Sequence, residues 1–466
     1  MNILRIVSLA LLTAFSAVSA TAAEIKLPDY QTLTLDNGAT VLLMPRKDVP
    51  LVAASVRVRG GALADAPGKE GTASLFAELL SKGAGERNAL QFAEAIDGAG
   101  GTLSFGSSQE TIEASAQFLS KDAGLMLSLL GDALLRPKLD PAEFDKLRKR
   151  AIDGIASAKD SDPRQLLGTY AAAWLFRGHP YGRAEDGNET SLAKISLADL
   201  QDFRKRQMGG DRLIVAIAGD FDPAAVTAQV KQVFGGWAKA GGALPQVAAK
   251  PRESGRRVLL VDKPGATQTY FALSNVGSRH GDPAEAAQDL VQTAFGGRFT
   301  SMINTELRIK SGLSYGARSS IDRPREPGAV SITSFTKTES TKQAIDLAIA
   351  TLDRLHRDGL DAATLTSAKQ YIAGQFAPSL ETAPQLAGQL SELALYGDSR
   401  EMVDGYLGKV AAAGPDQVAA ARAVFPDSGD LAIVAIGDAA KIRDAMRAYG
   451  PLTEMKLSDP RFAPAP

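Results

Sequence analysis

Cysteine is absent from all 466 residues, and histidine occurs only 3 times. Without cysteine the chain can form no disulfide, no thiolate nucleophile and no cysteine-based zinc site. The three histidines are too far apart along the chain for two of them to share a face of one helix; they are His179, His280 and His356. The sequence therefore argues against a paired-imidazole metal site, and we expect each histidine to be an ordinary turn or surface residue.

Excess charge is also missing, because 52 basic residues nearly balance 53 acidic ones and leave a net charge of −1. There is thus no electrostatic reason to expect nucleic acid or an anionic membrane surface as partner. Beyond the N-terminus, no hydrophobic run is long enough to span a bilayer. The length predicts two or more domains.

Residues 1–23 have the pattern of a cleavable signal peptide. Arg5 precedes an apolar run at residues 6–18, which is shorter than the roughly 20 residues of a membrane span. Residues 20–22, Ala-Thr-Ala, provide a small-x-small cleavage pattern. We expect cleavage near residue 22 or 23 and a mature protein in the bacterial periplasm.

An internal repeat divides the remainder of the chain. Residues 210–220 read GDRLIVAIAGD, and residues 428–438 read SGDLAIVAIGD. Each is a short apolar run ended by Gly-Asp, which is typical of a buried strand leaving a sheet. The repeat predicts two homologous domains at 24–238 and 257–466. The Gly-, Pro- and Ala-rich residues 239–256 between them are expected to form a linker.

Each half begins with strand-like runs, such as residues 31–43, and continues with helical patterns, such as residues 141–157. This order predicts an α+β fold in which helices cover one face of a mostly antiparallel sheet. We expect two such sandwich-like domains facing each other in a clam-like arrangement, with the linker allowing hinge motion.

Residues 71–83, GTASLFAELLSKG, have the pattern of an amphipathic helix. Leu75, Phe76 and Leu79 belong to an apolar stripe, while Ser74 and Glu78, four residues apart, share a different face. By themselves these residues are most simply a core helix.

With Gly60-Gly61 and Pro67-Gly68-Lys69-Glu70-Gly71 before it, this helix resembles that of the pitrilysin or insulinase superfamily, the inverzincins. The family includes mitochondrial processing peptidase and its two-subunit bacterial relatives. Active members carry H-x-x-E-H, in which two imidazoles bind zinc and the glutamate activates water.

The resemblance covers about residues 30 to 450 and places the three roles of H-x-x-E-H on Ser74, Ala77 and Glu78. A further glutamate ligand of the family aligns with Gly154, beside Asp153. The resemblance therefore implies a degenerate zinc site and no metal cofactor in this chain.

A second signature lies at residues 295–315, FGGRFTSMINTELRIKSGLSY. It resembles the family's glycine-rich turn, helix and R-x6-Y element, with Arg308 and Tyr315 as the pair. The resemblance implies that these two side chains bind peptide carbonyls and stabilise an oxyanion. Taken alone, such a pair is more often a surface charge and a half-buried aromatic.

In two-subunit members one chain carries the zinc helix and the other carries the Arg and Tyr. The resemblance thus implies a zinc-free subunit that positions extended peptides or unfolded segments for a homologous H-x-x-E-H-bearing partner, in which zinc is expected. A homodimer is the other assembly considered. Active relatives often have Asn-Ala on the substrate strand, where this chain has Ser104 and Phe105. If Phe105 obstructs strand addition, the N-terminal half contributes only subunit contacts.

Three alternatives remain open at this level. The protein can be a structural or assembly subunit, or a stand-alone peptide-binding protein. A hydrolase with another nucleophile is least favoured, since we expect neither a G-x-S-x-G elbow nor a Ser-His-Asp set.

Overall fold

A computed structural model describes residues 25–464. The signal peptide predicted at residues 1–23 lies outside this range. Within it, no helix is both long and apolar enough to cross a membrane.

The strands form two six-stranded sheets and a small hairpin. In chain order they are β1 Gln31–Thr34, β2 Thr40–Pro45, β3 Leu51–Arg59, β4 Gly83–Ala84, β5 Arg87–Asn88, β6 Thr102–Ser107, β7 Thr111–Leu119, β8 Leu213–Gly219, β9 Arg257–Asp262, β10 Gln268–Val276, β11 Ala317–Ile321, β12 Ala329–Lys337, β13 Ala432–Gly437 and β14 Leu452–Lys456.

Helices occupy most of the sequence between the strands. They are α1 Thr72–Leu79, α2 Ala89–Asp97, α3 Ala123–Leu135, α4 Pro141–Ser161, α5 Leu167–Leu175, α6 Glu189–Lys194, α7 Leu197–Gln207, α8 Pro223–Phe234, α9 Glu285–Gln292, α10 Met302–Asn304, α11 Thr341–Asp358, α12 Ala362–Phe376, α13 Ala383–Tyr396, α14 Glu401–Asp404, α15 Tyr406–Ala412, α16 Pro415–Ala421 and α17 Ala439–Arg447. Two segments, Thr293–Gly297 and Thr305–Lys310, are π-helical.

Five strands of each large sheet repeat one topology, and the edge strands differ: β1 is antiparallel to β2, whereas β14 is parallel to β9. The first has the order β1-β2-β8-β3-β7-β6, and the second, read from its other edge, has the order β14-β9-β13-β10-β12-β11. In each, the strand of the sequence repeat (β8 or β13) runs parallel to one neighbour and antiparallel to the other. The predicted α+β class with mostly antiparallel sheets is confirmed.

Gly219, which ends β8, illustrates why the repeat ends in Gly-Asp. Its φ is +123°, and a Cβ there would collide with the carbonyl oxygen of Leu51 on β3. Only glycine combines this backbone conformation with so close an approach of the neighbouring strand.

One face of each sheet packs against helices from its own half. In the N-terminal half, Val215 and Ile217 of β8 contact the core formed with α1, α3 and α7. In the C-terminal half, Ile433 and Ala435 of β13 contact the core that includes α9, α11 and α17. These are the helix-covered faces that the sequence predicts.

The opposite face of each sheet is covered by a helix from the other half. α13 packs on the first sheet, where Leu386, Leu390 and Leu393 meet Ile214 and other residues of β8. α5 packs on the second sheet, where its large side chains contact β9 and β13. We call α5 and α13 the crossing helices. Because of them, β8 and β13 are buried on both faces, an arrangement that the one-face prediction did not include.

Residues 239–256 contain neither helix nor strand, and hydrogen bonds attach them to both halves. Gly241 N donates to Lys205 O, and Arg252 donates to carbonyl oxygens of Val276, Ala423 and Val424. The segment is thus held along its length, and the crossing helices join the halves independently of it.

Shortening a crossing helix's side chain is expected to destabilise the fold. Leu390 is fully buried, so Leu390→Ala is expected to lower the free energy of unfolding by about 3 kcal/mol, through lost burial and a cavity. Urea unfolding followed by circular dichroism measures the change.

Leu90→Ala is the matched control, because Leu90 lies on the surface of helix α2 and is 66% exposed. Equal unfolding midpoints for both variants would contradict the assigned role of α13.

Candidate functional site

Helix α1 begins where a buried carboxylate accepts hydrogen bonds from its first N–H groups. Asp65 Oδ2 accepts from Gly71 N at 2.8 Å, and Oδ1 accepts from Ala73 N at 2.9 Å. Gly71 has a φ of +97°, and a Cβ there would lie 2.9 Å from Asp186 O, so glycine is required. Burial raises the pKa of Asp65 to about 7, and these N–H donors oppose the shift.

The faces of α1 follow the predicted pattern. Leu75, Phe76 and Leu79 are buried, and the ring of Phe76 contacts that of Phe203 on α7 at a centroid distance of 5.4 Å. Ala77 is also fully buried in this core. Hence the position aligned with the family's catalytic glutamate is enclosed by apolar side chains here.

Ser74, Glu78 and Gly154 line one cavity of about 1160 Å3. Ser74 Oγ donates to Asp186 Oδ1 at 2.8 Å, and Glu78 Oε2 accepts from Arg150 Nη2 at 2.8 Å. A Cβ added at Gly154 would meet no atom within 4 Å. Three of the four positions aligned with the zinc ligands and general base thus line the same cavity. The fourth, Ala77, lies on the buried face of α1 and does not reach the cavity.

Zinc does not fit the side chains at these positions. Protein zinc sites use cysteine, histidine and carboxylate ligands, usually with three protein donors at a catalytic site. Here the one carboxylate on α1 is paired with a guanidinium, and Gly154 has no side chain. Among residues 25–464 no cluster of three His, Cys, Asp or Glu side chains could hold a metal ion.

Both halves contribute charged side chains to the cavity. Burial raises the pKa values of Glu185 and Asp322, and the charge of Asp186 adds to the shift at Glu185. Among the lining residues, the acidic ones are Glu78, Glu110, Glu113, Glu185, Asp186 and Asp322, and the basic ones are Arg57, Arg183 and Arg323. The cavity lining therefore carries both negatively and positively charged side chains.

Arg308 and Tyr315 lie together outside the residues that line this cavity. The guanidinium carbon of Arg308 lies 4.3 Å from the centroid of the Tyr315 ring and 4.8 Å from that of Phe299. Tyr315 is 76% exposed and Phe299 is 60% exposed. The stacking of Phe299 was not anticipated from the sequence, although this residue follows the glycine-rich turn directly.

Arg308 lies in the π-helical segment Thr305–Lys310, and Tyr315 precedes the edge strand β11 by two residues. Such π-helical turns are frequent at functional sites. Within the described residues β12 is the only strand that pairs with β11, and side chains cover the other edge of β11: Asn304 Oδ1 accepts from Ala317 N, and Gln292 Nε2 donates to Ser319 O. The pair thus lies beside a strand edge whose backbone groups are already bonded within the chain.

Phe105 is directed away from the free edge of β6. Its side chain is half-buried against the N-terminal core, whereas Ser104 is exposed. Successive residues of a strand point to opposite faces of the sheet, not along its edge. The obstruction considered for Phe105 is therefore absent.

A G-x-S-x-G pattern is present at residues 312–316, contrary to the sequence-based expectation. Ser314 is buried, its Oγ donates to Gly316 O at 2.8 Å, and it precedes strand β11 instead of a helix. A nucleophile elbow requires an exposed serine on a strand-to-helix turn. The pattern here is structural.

The histidine rings have local partners. His179 Nδ1 accepts from Tyr181 N, and its Nε2 lies 2.7 Å from Ala248 O. His280 Nε2 lies 2.5 Å from Asp398 Oδ2, and its ring stacks on that of Tyr396. The Nε2 atom of His356 lies 3.1 Å from Pro426 O. Each ring serves a local contact.

Two protein-family descriptions match this chain. Residues 40–185 match "Insulinase (Peptidase family M16)", and residues 194–372 match "Peptidase M16 inactive domain".

Relatives of known sequence include two bacterial zinc proteases described as uncharacterized. One from Mycobacterium tuberculosis is 28% identical over 338 residues, covering 71% of this chain and 76% of the relative. YmxG of Bacillus subtilis is 23% identical over 404 residues, covering 86% and 97%. The mitochondrial-processing peptidase subunit beta of Blastocladiella emersonii is 26% identical over 263 residues, covering 56% of each chain.

Solved structures share the fold. A peptidase M16 inactive domain from Pseudomonas fluorescens has a TM-score of 0.82 at 22% identity, covering 88% of this chain and 98% of that one. A protease from Helicobacter pylori has a TM-score of 0.80 at 19% identity, covering 88% and 100%.

The raised pKa of Asp65 predicts a pH dependence of stability. Between pH 3.8, the ordinary pKa of an aspartate, and about pH 7, the raised pKa, Asp65 stays protonated in the folded protein but loses its proton in the unfolded chain. The contribution of Asp65 to the free energy of unfolding therefore falls as pH rises through this window. Asp65→Asn does not titrate and is expected to remove that decline, on the order of 2 kcal/mol.

Urea unfolding at about pH 5 and about pH 8 measures the decline in the wild type and in the variant. Asp444→Asn is the control, because the Asp444 side chain is 96% exposed. An unchanged pH slope in Asp65→Asn would contradict the assignment.

Proposed function

Because the chain belongs to the insulinase family, peptidase family M16, and lacks that family's zinc-binding side chains, we propose that it is the zinc-free subunit of a two-chain peptidase. It holds an extended peptide while a homologous chain with H-x-x-E-H, carrying zinc, cleaves it. This chain is peptidase-like without being a catalyst by itself.

The observation that carries the proposal is the state of Arg308. Its guanidinium stacks on the exposed ring of Tyr315, and among the described residues it makes no hydrogen bond or ion pair. Arginine presents five N–H donors in a rigid fork suited to carbonyl and carboxylate oxygens. These donors are available to a ligand from outside the chain.

The location of the pair favours a site completed by a second chain. Ser74, Glu78 and Gly154 face the cavity between the halves, whereas Arg308 and Tyr315 lie outside its lining, where Tyr315 is exposed and Arg308 is half-buried. The side chains on α1 are already paired with Asp186 and Arg150. A peptide bound at Arg308 would thus meet its zinc on another subunit.

A free sheet edge favours an extended peptide as substrate. β6 ends the first sheet with Phe105 directed into the core, and among the described residues no strand pairs with its outer edge. Strand addition satisfies peptide backbone groups along an edge and gives affinity for many sequences. Peptides and unfolded segments fit this geometry better than folded proteins.

The N-terminal sequence supports a location of the proposed complex outside the cytoplasm. Residues 1–23 have the charged, apolar and small-residue regions of a signal peptide. The partner should then carry an export signal as well, since both chains must reach the periplasm to assemble.

One observation favours a second function, stand-alone peptide binding. The cavity of about 1160 Å3 is formed by both halves of a single chain and needs no partner for its walls. Capture without cleavage would use this cavity, and Arg308 would be dispensable for it.

The split-site proposal predicts activity only on mixing. The purified mature chain, starting near residue 24, should contain substoichiometric zinc and leave peptides uncut. Addition of the homologous H-x-x-E-H chain from the same cell should produce cleavage that a chelator abolishes. Zinc quantification and a fluorogenic peptide assay measure both.

Substitutions of Arg308 and Tyr315 test whether these two side chains contribute to cleavage. Arg308→Ala is expected to lower kcat/KM of the mixture by about 100-fold, the typical effect of removing an oxyanion donor. Tyr315→Phe should cost roughly fivefold to tenfold, as for one hydrogen bond. Arg447→Ala is the control, because Arg447 is an exposed arginine on α17.

Zinc-dependent activity of this chain alone would overturn the proposal. A stable mixed complex without cleavage would instead favour a structural role, and peptide binding that is unaffected by Arg308→Ala would favour the stand-alone function.

A further inference from the structure

Two aromatic rings enclose the guanidinium of Arg308. Its central carbon lies over both rings, 4.8 Å from the centroid of Phe299 and 4.3 Å from that of Tyr315. Both distances are within the roughly 6 Å range of cation–π attraction. Two ring contacts restrict the orientation of the guanidinium more than a single ring can.

The nearest carboxylate does not compete for this guanidinium. Glu306, two residues before Arg308, binds Lys310 Nζ at 3.0 Å and Arg354 Nη1 at 2.9 Å. Those two cations lower the pKa of Glu306 although its burial opposes the shift. Arg308 is therefore held by rings, and its hydrogen-bond donors stay free.

A single buried residue fixes the backbone on both sides of this enclosure. Asn304 is 5% exposed; its Nδ2 donates to Phe299 O at 2.6 Å, and its Oδ1 accepts from Ala317 N at 3.1 Å. Ala317 follows Tyr315 by two residues. One amide thus links the segment carrying Phe299 to the segment carrying Tyr315.

The glycine-rich turn brings Phe299 to this position. Gly296 packs so closely on Ser319 of β11 that a Cβ would collide with its backbone nitrogen. The chain therefore turns directly against the edge strand and leaves Phe299 on the surface, 60% exposed. An exposed aromatic next to a stacked arginine is typical of interaction sites.

We infer that Phe299 is a positioning residue for Arg308: with Tyr315 it holds the guanidinium plane so that its edge donors meet a peptide oxygen. The enclosure itself is independent of the proposed function, whereas its effect on cleavage rests on that function. Phe299 need not touch the substrate.

The first test measures the enclosure in this chain without a partner. Ring currents from two aromatic faces should shift the Arg308 Hε resonance upfield in 1H–15N spectra, with assignment by Arg308→Lys. Phe299→Leu is expected to reduce that shift by roughly half, since one of two rings is removed. Phe299→Tyr, which keeps an aromatic face, should preserve it.

The second test is a double-mutant cycle in the active mixture. Phe299→Leu is expected to lower kcat/KM roughly twofold to fivefold, the size of one exposed cation–π contact. Phe299→Tyr should restore the wild-type value. In an Arg308→Ala background, Phe299→Leu should have no further effect, because a positioning residue acts only through the residue it positions.

Tyr371→Leu is the matched control. Tyr371 is another exposed aromatic on this half, and its ring lies under Arg298 instead of Arg308. It should change neither the Arg308 resonance nor kcat/KM.

The outcomes separate the two claims. The positioning role is overturned if the Arg308 resonance in Phe299→Leu stays at its wild-type position. Additive losses in the double-mutant cycle overturn it as well. Loss of activity in Arg308→Ala without any loss in Phe299→Leu does the same while leaving the split site intact. No activity in any mixture overturns the split site, and the resonance test still decides the enclosure.

Discussion

The reciprocal packing of the crossing helices is the interaction on which the rest of the structure depends. α13 covers the first sheet and α5 covers the second, each from the opposite half of the chain. Each Å2 of apolar area buried between the halves stabilises the fold by roughly 25 cal/mol. Each sheet therefore depends on the other half to cover its second face. The position of every group that lies between the halves follows from this packing.

The cavity beside α1 is one consequence. Its walls come from both halves, and α1 is fixed at its N-terminus by the buried carboxylate of Asp65. The polar face of the helix is occupied by side-chain pairs. Glu78 binds Arg150, and Ser74 binds Asp186. Exposed pairs of this kind contribute only about 0 to 1 kcal/mol, so they fill the site without strongly stabilising the fold.

The surface around Arg308 has the opposite character. Its arginine is enclosed by two exposed rings and keeps unsatisfied donors, although the backbone beneath is fixed by a buried asparagine. A helix whose polar face is occupied by side-chain pairs, together with an arginine whose donors have no partner among the described residues, fits the proposed role as one subunit of a divided active site.

Sequence alone determined the family, the α+β class, the repeated strand that each sheet contains, the amphipathic pattern of α1 and the absence of paired imidazoles. These follow from local periodicity and from residue identity, which need no long-range contact. Tertiary structure decided which sheet each crossing helix covers, because an apolar stripe does not specify the partner that buries it.

Long-range packing also decided the contact between Glu78 and Arg150, the inward direction of Phe105, the burial of Ser314 in a G-x-S-x-G pattern that sequence reasoning missed, and the enclosure of Arg308 by Phe299. Each depends on residues or elements that only the folded chain brings within a few ångströms.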